Sequence, residues 1–172
     1  MLRIGLIGTG TVGGGVIQIL EQKIAEYKEK LGVELELACI CAKSEEEVAP
    51  YKAKGYKVST NADEMIAGDG IDVLVELAGG YNMPRKWILA ALESGKHVMC
   101  EKPMAINYEE ALKMVDAKKR TGKVLSIAYQ NRYRPDSLCL KEMCLRGDLG
   151  DVYFAKANAI RRRAVPTWGV FL

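Results

Sequence analysis

The chain has 172 residues, 49% of them hydrophobic, and 25 Lys and Arg against 22 Asp and Glu leave a net charge of +3. At this length a folded chain hides about 70% of the surface it exposes when unfolded, which suffices for one full domain and excludes a second of equal size. The positive charge belongs to the end of the chain, since residues 130–172 carry +4 and the first 129 carry −1; without a basic stripe interleaved with aromatics, nucleic acid is not an expected partner.

Two further classes are excluded early. The uncharged stretch from Ile4 to Leu20 contains six glycines and no small-residue cleavage pattern, so neither an export signal nor a membrane anchor is expected. The cysteines (Cys39, Cys41, Cys100, Cys139, Cys144) match no zinc spacing and suit a reducing, cytoplasmic compartment, most of them as buried thiols. His97 is the sole histidine, so no metal centre is expected.

Leu2 to Ile7 is short and nearly all apolar, as in a parallel strand covered on both faces. A long helix follows, with Val12, Val16, Ile19, Leu20, Ile24, Tyr27 and Leu31 as its expected apolar stripe and Gly32 as its stop. Val33 to Cys41 reads as the second strand. A helix over residues 45–54 begins with the acidic run Glu45 to Glu47, and Tyr56 to Ser59 is a weak strand. Asn61 with Glu64, and Asn107 with Glu110, have the spacing of helix N-caps. Between them lie a buried strand (Ile71 to Ala78), a helix from about Pro84 to Glu93 and a fifth strand (Lys96 to Cys100). The helix that Asn107 opens runs to Gly122, and Val124 to Tyr129 is the sixth strand. The alternation predicts an α/β fold: a doubly wound parallel sheet of the Rossmann type, over residues 1–129. Residues 130–172, with a helix from Pro135 to Arg146 and a strand from Val152 to about Ile160, read as the start of a second, α+β domain. That last strand, lacking neighbours, would be an edge prone to pairing with another copy, so a homo-oligomer is expected.

Gly8-Thr9-Gly10-Thr11-Val12-Gly13 is a G-x-G-x-x-G run placed between the first strand and the first helix. There the first glycine permits the tight turn, the second lets backbone approach a pyrophosphate and the third permits close helix-to-strand packing. Thr11 could add a hydroxyl donor. Dinucleotide sites of this kind usually place an acid after the second strand to read the ribose; here Lys43 and Ser44 stand instead. They suit a ribose 2′-phosphate and so NADP ahead of NAD, the alternative being that Lys43 is a solvated loop cation. At the carboxyl ends of the later strands, where ligands bind in such sheets, come Ala78, Gly79 and Asn82, and then Glu101 and Lys102. Pro103 limits Lys102 to extended or turn backbone, from which its ammonium can be aimed at a substrate oxygen. His97, several residues before its strand's carboxyl end, reads as structural. Cys100 lacks an activating base and is not an expected nucleophile.

From Gly95-Lys96-His97-Val98-Met99-Cys100-Glu101-Lys102-Pro103 onward the sequence resembles the Gfo/Idh/MocA oxidoreductases, relatives of glucose–fructose oxidoreductase and inositol dehydrogenase. The likeness continues through Asn107-Tyr108-Glu109-Glu110-Ala111, Tyr129-Gln130-Asn131-Arg132-Tyr133-Arg134-Pro135, Gly147 to Val152 and Arg161 to Gly169. It implies NAD or NADP as cofactor, hydride transfer at a hydroxyl-bearing carbon of a sugar- or polyol-like small molecule, Lys102 as the catalytic lysine, Glu101 beside it, and Asn131 and Trp168 near the nicotinamide. The first hundred residues are also similar to homoserine dehydrogenase, which has T-A-N-K-A where this chain has Cys100-Glu101-Lys102-Pro103. The family's catalytic Asp and His lie in a substrate domain beyond the point reached at Leu172, so the resemblance covers about half of a family member. The expected alternatives to an oxidoreductase of this type are a non-catalytic NAD(P)-binding module and a homoserine dehydrogenase.

Overall fold

The computed structural model of the chain describes residues 1–80, 82–158, 160 and 162, with the side chain of Asn82 outside the description. The described residues divide into two units, one running to Tyr129 and one starting at Gln130.

In the first unit, β1 (Leu2–Ile7), β2 (Leu35–Cys41), β3 (Val58–Ser59), β4 (Val73–Glu76), β5 (His97–Cys100) and β6 (Leu125–Ile127) form one sheet in the order β3-β2-β1-β4-β5-β6. Every neighbouring pair is parallel. This is the Rossmann strand order, which reverses direction between β1 and β4 and opens a crevice at their carboxyl ends. Side chains alternate across the sheet, so one face packs Ile4, Leu6, Ile40 and Val75 against Ile17 and Leu20 of α1 (Thr11–Leu31). The other face packs Ile7, Cys39, Leu74 and Val98 against Ile66, Leu92 and Met114, which belong to α3 (Ala62–Ala67), α4 (Asn82–Glu93) and α5 (Tyr108–Thr121). Burial on both faces is why these strands read as continuous apolar runs.

Local signals place most boundaries. Asn61 and Asn107 accept the backbone N–H groups of Glu64 and Glu110 at 3.1 and 2.9 Å, as their spacing predicts. Gly32 and Gly122 stop α1 and α5 in left-handed backbone, donating to the carbonyls of Lys28 and Lys118. α2 (Glu45–Ala53) opens with its three acids. His97 is structural as expected: its Nδ1 accepts the N–H of Val124 at 3.0 Å, joining β5 to the start of β6. Among the described residues no helix is long and apolar enough to cross a membrane.

The first helix is rotated from the expected stripe. Gly13, Ile17 and Leu20 are buried, while Val12, Ile19 and Leu31 are about half exposed or more. Gly13 must abut the β1 turn, and successive residues lie 100° apart on a helix, so fixing Gly13 inward carries positions 16, 17, 20 and 27 inward with it.

The second unit holds a 3₁₀ turn (Gln130–Tyr133) and α6 (Pro135–Arg146), opened by Pro135 and stopped by Gly147 at φ +79°. Cys139 and Cys144 on α6 are exposed, unlike Cys39, Cys41 and Cys100. The strand expected from Val152 to Ile160 is not present among the described residues. A strand is held by a neighbour's ladder of hydrogen bonds; none of the described residues supplies one here, and Tyr153 and Phe154 are 97% and 75% exposed.

Candidate functional site

The site grows from β1, which delivers Gly8, Thr9 and Gly10 to the carboxyl edge of the sheet. Gly8 sits at φ +100°, and a Cβ there would meet the backbone of Leu77 and Ala78 at 2.6–2.7 Å. A Cβ on Gly13 would lie 1.8 Å from the Gly8 carbonyl oxygen. Two glycines thus permit contact between the β1 turn, α1 and the loop after β4. A Cβ on Gly10, by contrast, would meet nothing within 4 Å. Gly10 also caps α1 without a side-chain hydrogen bond, and the first turn of α1 carries no acid. The first amides of this helix thus lack a side-chain cap, an arrangement that suits an anion through both their N–H groups and the helix dipole.

Around this turn lies a cleft of about 640 Å³, in the size range of ligand pockets, lined by Gly8, Thr9, Gly10, Lys43 and Ala78, with Glu47, Thr60 and Trp87. Five of the residues singled out from sequence therefore meet in one cavity. Lys43 follows β2 with its side chain 86% exposed and pairs with Glu47 at 3.3 Å. The Ser44 hydroxyl oxygen accepts the Glu47 N–H at 3.4 Å as the cap of α2, which leaves its own O–H able to donate. Thr11 and Val12 are exposed at the start of α1. Gly79 lies in the loop after β4 at φ +71°, and Asn82 is the first residue of α4.

Glu101 and Lys102 follow β5 at the same edge and do not line the cleft. Their link to it is the backbone: Glu101 donates its N–H to the Glu76 carbonyl at 3.1 Å, and Glu76 is two residues from Ala78. Glu101 is half-buried and Lys102 exposed, next to a cis peptide bond to Pro103. Asn131 belongs to the 3₁₀ turn of the second unit. Trp168 lies outside the described residues. Neither buried thiol of the edge is poised to react: burial pushes Cys41 up to about 11, and burial with the charges of Glu76 and Glu101 pushes Cys100 up to about 12.

Reasoning from sequence missed Trp87, Thr60 and Glu47 as cleft residues. Trp87 lies inside the apolar pattern of α4 and reads as core; Thr60 and Glu47 reach the cleft because β3 and α2 pack beside β2, a juxtaposition that no local spacing encodes. It also missed that Glu76 turns its carboxylate back into its own loop, where Oε1 accepts the Ala78 N–H at 2.8 Å.

The glycine turn, the open helix start and a cation-bearing cleft at the switch point fit a dinucleotide. Comparison with known proteins agrees. Residues 2–129 match the model of an oxidoreductase family with an NAD-binding Rossmann fold, GFO_IDH_MocA. The chain belongs to the Gfo/Idh/MocA oxidoreductases. It is 34% identical over 170 residues to the D-glucoside 3-dehydrogenase of Escherichia coli K12, a match covering 99% of this chain and 46% of that protein. It is 36% identical over 98 residues to the homoserine dehydrogenase of Neisseria gonorrhoeae, covering 57% of this chain and 22% of that one. Among solved structures it resembles an NAD-binding oxidoreductase from Klebsiella pneumoniae with a TM-score of 0.78 and 28% identity, over 87% of this chain and 40% of the other. The chain spans less than half the length of these relatives. Binding of NAD(P) by the Rossmann unit follows from family membership.

Proposed function

We propose that the protein is the cofactor-binding part of an NAD(P)-dependent oxidoreductase that moves a hydride between the nicotinamide and a hydroxyl-bearing carbon of a sugar- or polyol-like substrate. The observation that carries this reading is the shared carboxyl edge: the glycine turn, Ala78 and Lys43 line one cleft, and Glu101, followed by Lys102, hydrogen-bonds the Glu76 carbonyl at the end of the neighbouring strand that leads into it. The likeness to a D-glucoside 3-dehydrogenase over 99% of the chain supports the substrate class.

In this reading the amides of Thr11 and Val12 and the backbone of Thr9 and Gly10 hold the pyrophosphate, and Lys43 with the Ser44 hydroxyl holds a ribose 2′-phosphate, which favours NADP. The nicotinamide gives or accepts the hydride. In the reductive direction the Lys102 ammonium would hydrogen-bond the substrate carbonyl oxygen, stabilise the negative charge that builds on it as hydride adds to the carbon, and give the proton that completes the hydroxyl; oxidation would run the same step in reverse, the hydroxyl proton passing to the Lys102 amine. Glu101 and Asn82 complete the surroundings of the nicotinamide on the side of the Rossmann unit.

Titration of the chain with NADPH and NADH, followed by a screen for oxidation of sugars, polyols and homoserine, tests this. Binding with turnover of a sugar or polyol supports the proposal. Turnover of homoserine alone replaces the substrate class, a reading that the 98-residue likeness to homoserine dehydrogenase favours. Binding with no turnover favours a non-catalytic module.

A further inference from the structure

Glu76 is one of two charged side chains, with Lys96, that the core buries among the described residues; it is 4% exposed. It ends β4 and makes two connections there. Its Oε1 accepts the Ala78 N–H at 2.8 Å, with the Gly79 N–H also directed at the carboxylate. Its carbonyl oxygen accepts the N–H of Glu101 at 3.1 Å. Ala78 in turn lies so close to Gly8 that the latter has no room for a Cβ. Three pieces of the carboxyl edge therefore converge on this residue: the glycine turn, the loop that lines the cleft, and the strand end that carries Lys102.

A carboxylate at this position has a cost. Burial raises its pKa, the Ala78 and Gly79 amides oppose that rise, and the neighbouring Glu101 charge adds to it. An apolar side chain would avoid the cost but would leave the Ala78 N–H without this acceptor, and the exposed loop would be free to turn that amide to water. We propose that Glu76 is a positioning residue of the cofactor site: it locks Ala78 and Gly79 against the glycine turn while its carbonyl sets the spacing to Glu101 and Lys102. This rests on the reading of the cleft as a dinucleotide site. Gln in place of Glu keeps an acceptor at the same reach, whereas Met is close in length and offers no oxygen to Ala78.

Amide exchange at Ala78 and Gly79 without nucleotide, melting temperature, and affinity for NADPH and NADH are measured for the wild-type chain, Glu76→Gln, Glu76→Met, Glu76→Ala and Leu92→Ala. Leu92, fully buried at the far end of α4, controls for lost stability. Glu76→Gln is expected to keep Ala78 protected and to bind within about threefold of wild type; Glu76→Met and Glu76→Ala are expected to exchange both amides, and release nucleotide, at least about tenfold more readily. If Glu76→Ala does not fold, the contrast between Gln and Met decides. The proposal is overturned if exchange at the two amides is unchanged in Glu76→Met and Glu76→Ala, or if their affinity loss matches that of Leu92→Ala at equal stability. A wild-type chain that binds neither nucleotide overturns the cofactor reading instead, and the exchange comparison, made without nucleotide, tells the two failures apart.

Discussion

The carbonyl oxygen of Gly8 occupies the place where a Cβ of Gly13 would be, 1.8 Å from it, whereas a Cβ on Gly10 would stand in open space. The three glycines of one motif thus have separable duties. Gly13→Ala is expected to push α1 away from β1, destabilising the fold by roughly 1–3 kcal/mol, and to abolish dinucleotide binding. Gly10→Ala is expected to leave the urea midpoint unchanged while weakening nucleotide binding at least about tenfold, because its methyl fills the space that the phosphates need. Paired denaturation and titration curves check both, and an intact affinity in Gly10→Ala would remove the pyrophosphate from this turn.

Lys43 stands in the cleft 3.3 Å from Glu47, which offsets its charge. Lys43→Ala is expected to weaken NADPH binding about tenfold, the worth of a charge-assisted hydrogen bond, and to leave NADH binding nearly unchanged. Glu47→Gln frees the ammonium and is expected to shift the preference the other way, toward NADPH. Calorimetric titration of both nucleotides against the three proteins reads this directly; equal losses for NADH and NADPH would make Lys43 a solvated loop cation.

Lys102 is exposed and lies outside the cleft lining, so the nucleotide is expected to bind without it. In a form of the protein that turns over, Lys102→Ala should lower kcat by about a hundredfold or more, as loss of a transition-state donor does, while the dinucleotide Kd stays within about threefold. Steady-state kinetics with direct binding measurements separates the two. Retained turnover would remove the catalytic role from this lysine.

At the opposite edge of the sheet Asp72 accepts three hydrogen bonds from Arg3, from its backbone N–H at 2.8 Å, from Nε at 3.0 Å and from Nη2 at 2.7 Å. These bonds hold the Asp72 carboxyl well below the usual carboxylate range. A carboxyl depressed in the folded state adds stability above its ordinary pKa and loses it as pH falls toward the folded value. The wild-type melting temperature should therefore drop as pH falls below about 4, and Asp72→Asn should start lower at neutral pH and show a shallower decline over that acidic range. Parallel melting curves from pH 7 to 2.5 provide the check. With both side chains about one-third exposed, the effect is expected to be modest.

Much of this molecule could be read from short stretches of chain. The β1 strand, the glycine turn, the caps Asn61 and Asn107 and the stops Gly32 and Gly122 all lie where their local patterns put them, because each rests on hydrogen bonds or backbone angles within a few residues. The rotation of α1 was misread for the same reason. Counting apolar residues selects Val12 and Ile19, but the contact between Gly13 and Gly8 sets which side faces inward. The β-like run after Val152 has the side chains of a strand and, among the described residues, no partner to pair with.

Which residues surround the cleft is a matter of topology. Gly8, Lys43, Thr60, Ala78 and Trp87 come from five separate stretches of the chain, and only the β3-β2-β1-β4 strand order brings them to one edge. Glu76 shows the difference most clearly. In the chain it is one acid at the end of an apolar strand. In the folded protein its carboxylate is buried and turns back to its own loop, where it accepts the Ala78 N–H at 2.8 Å.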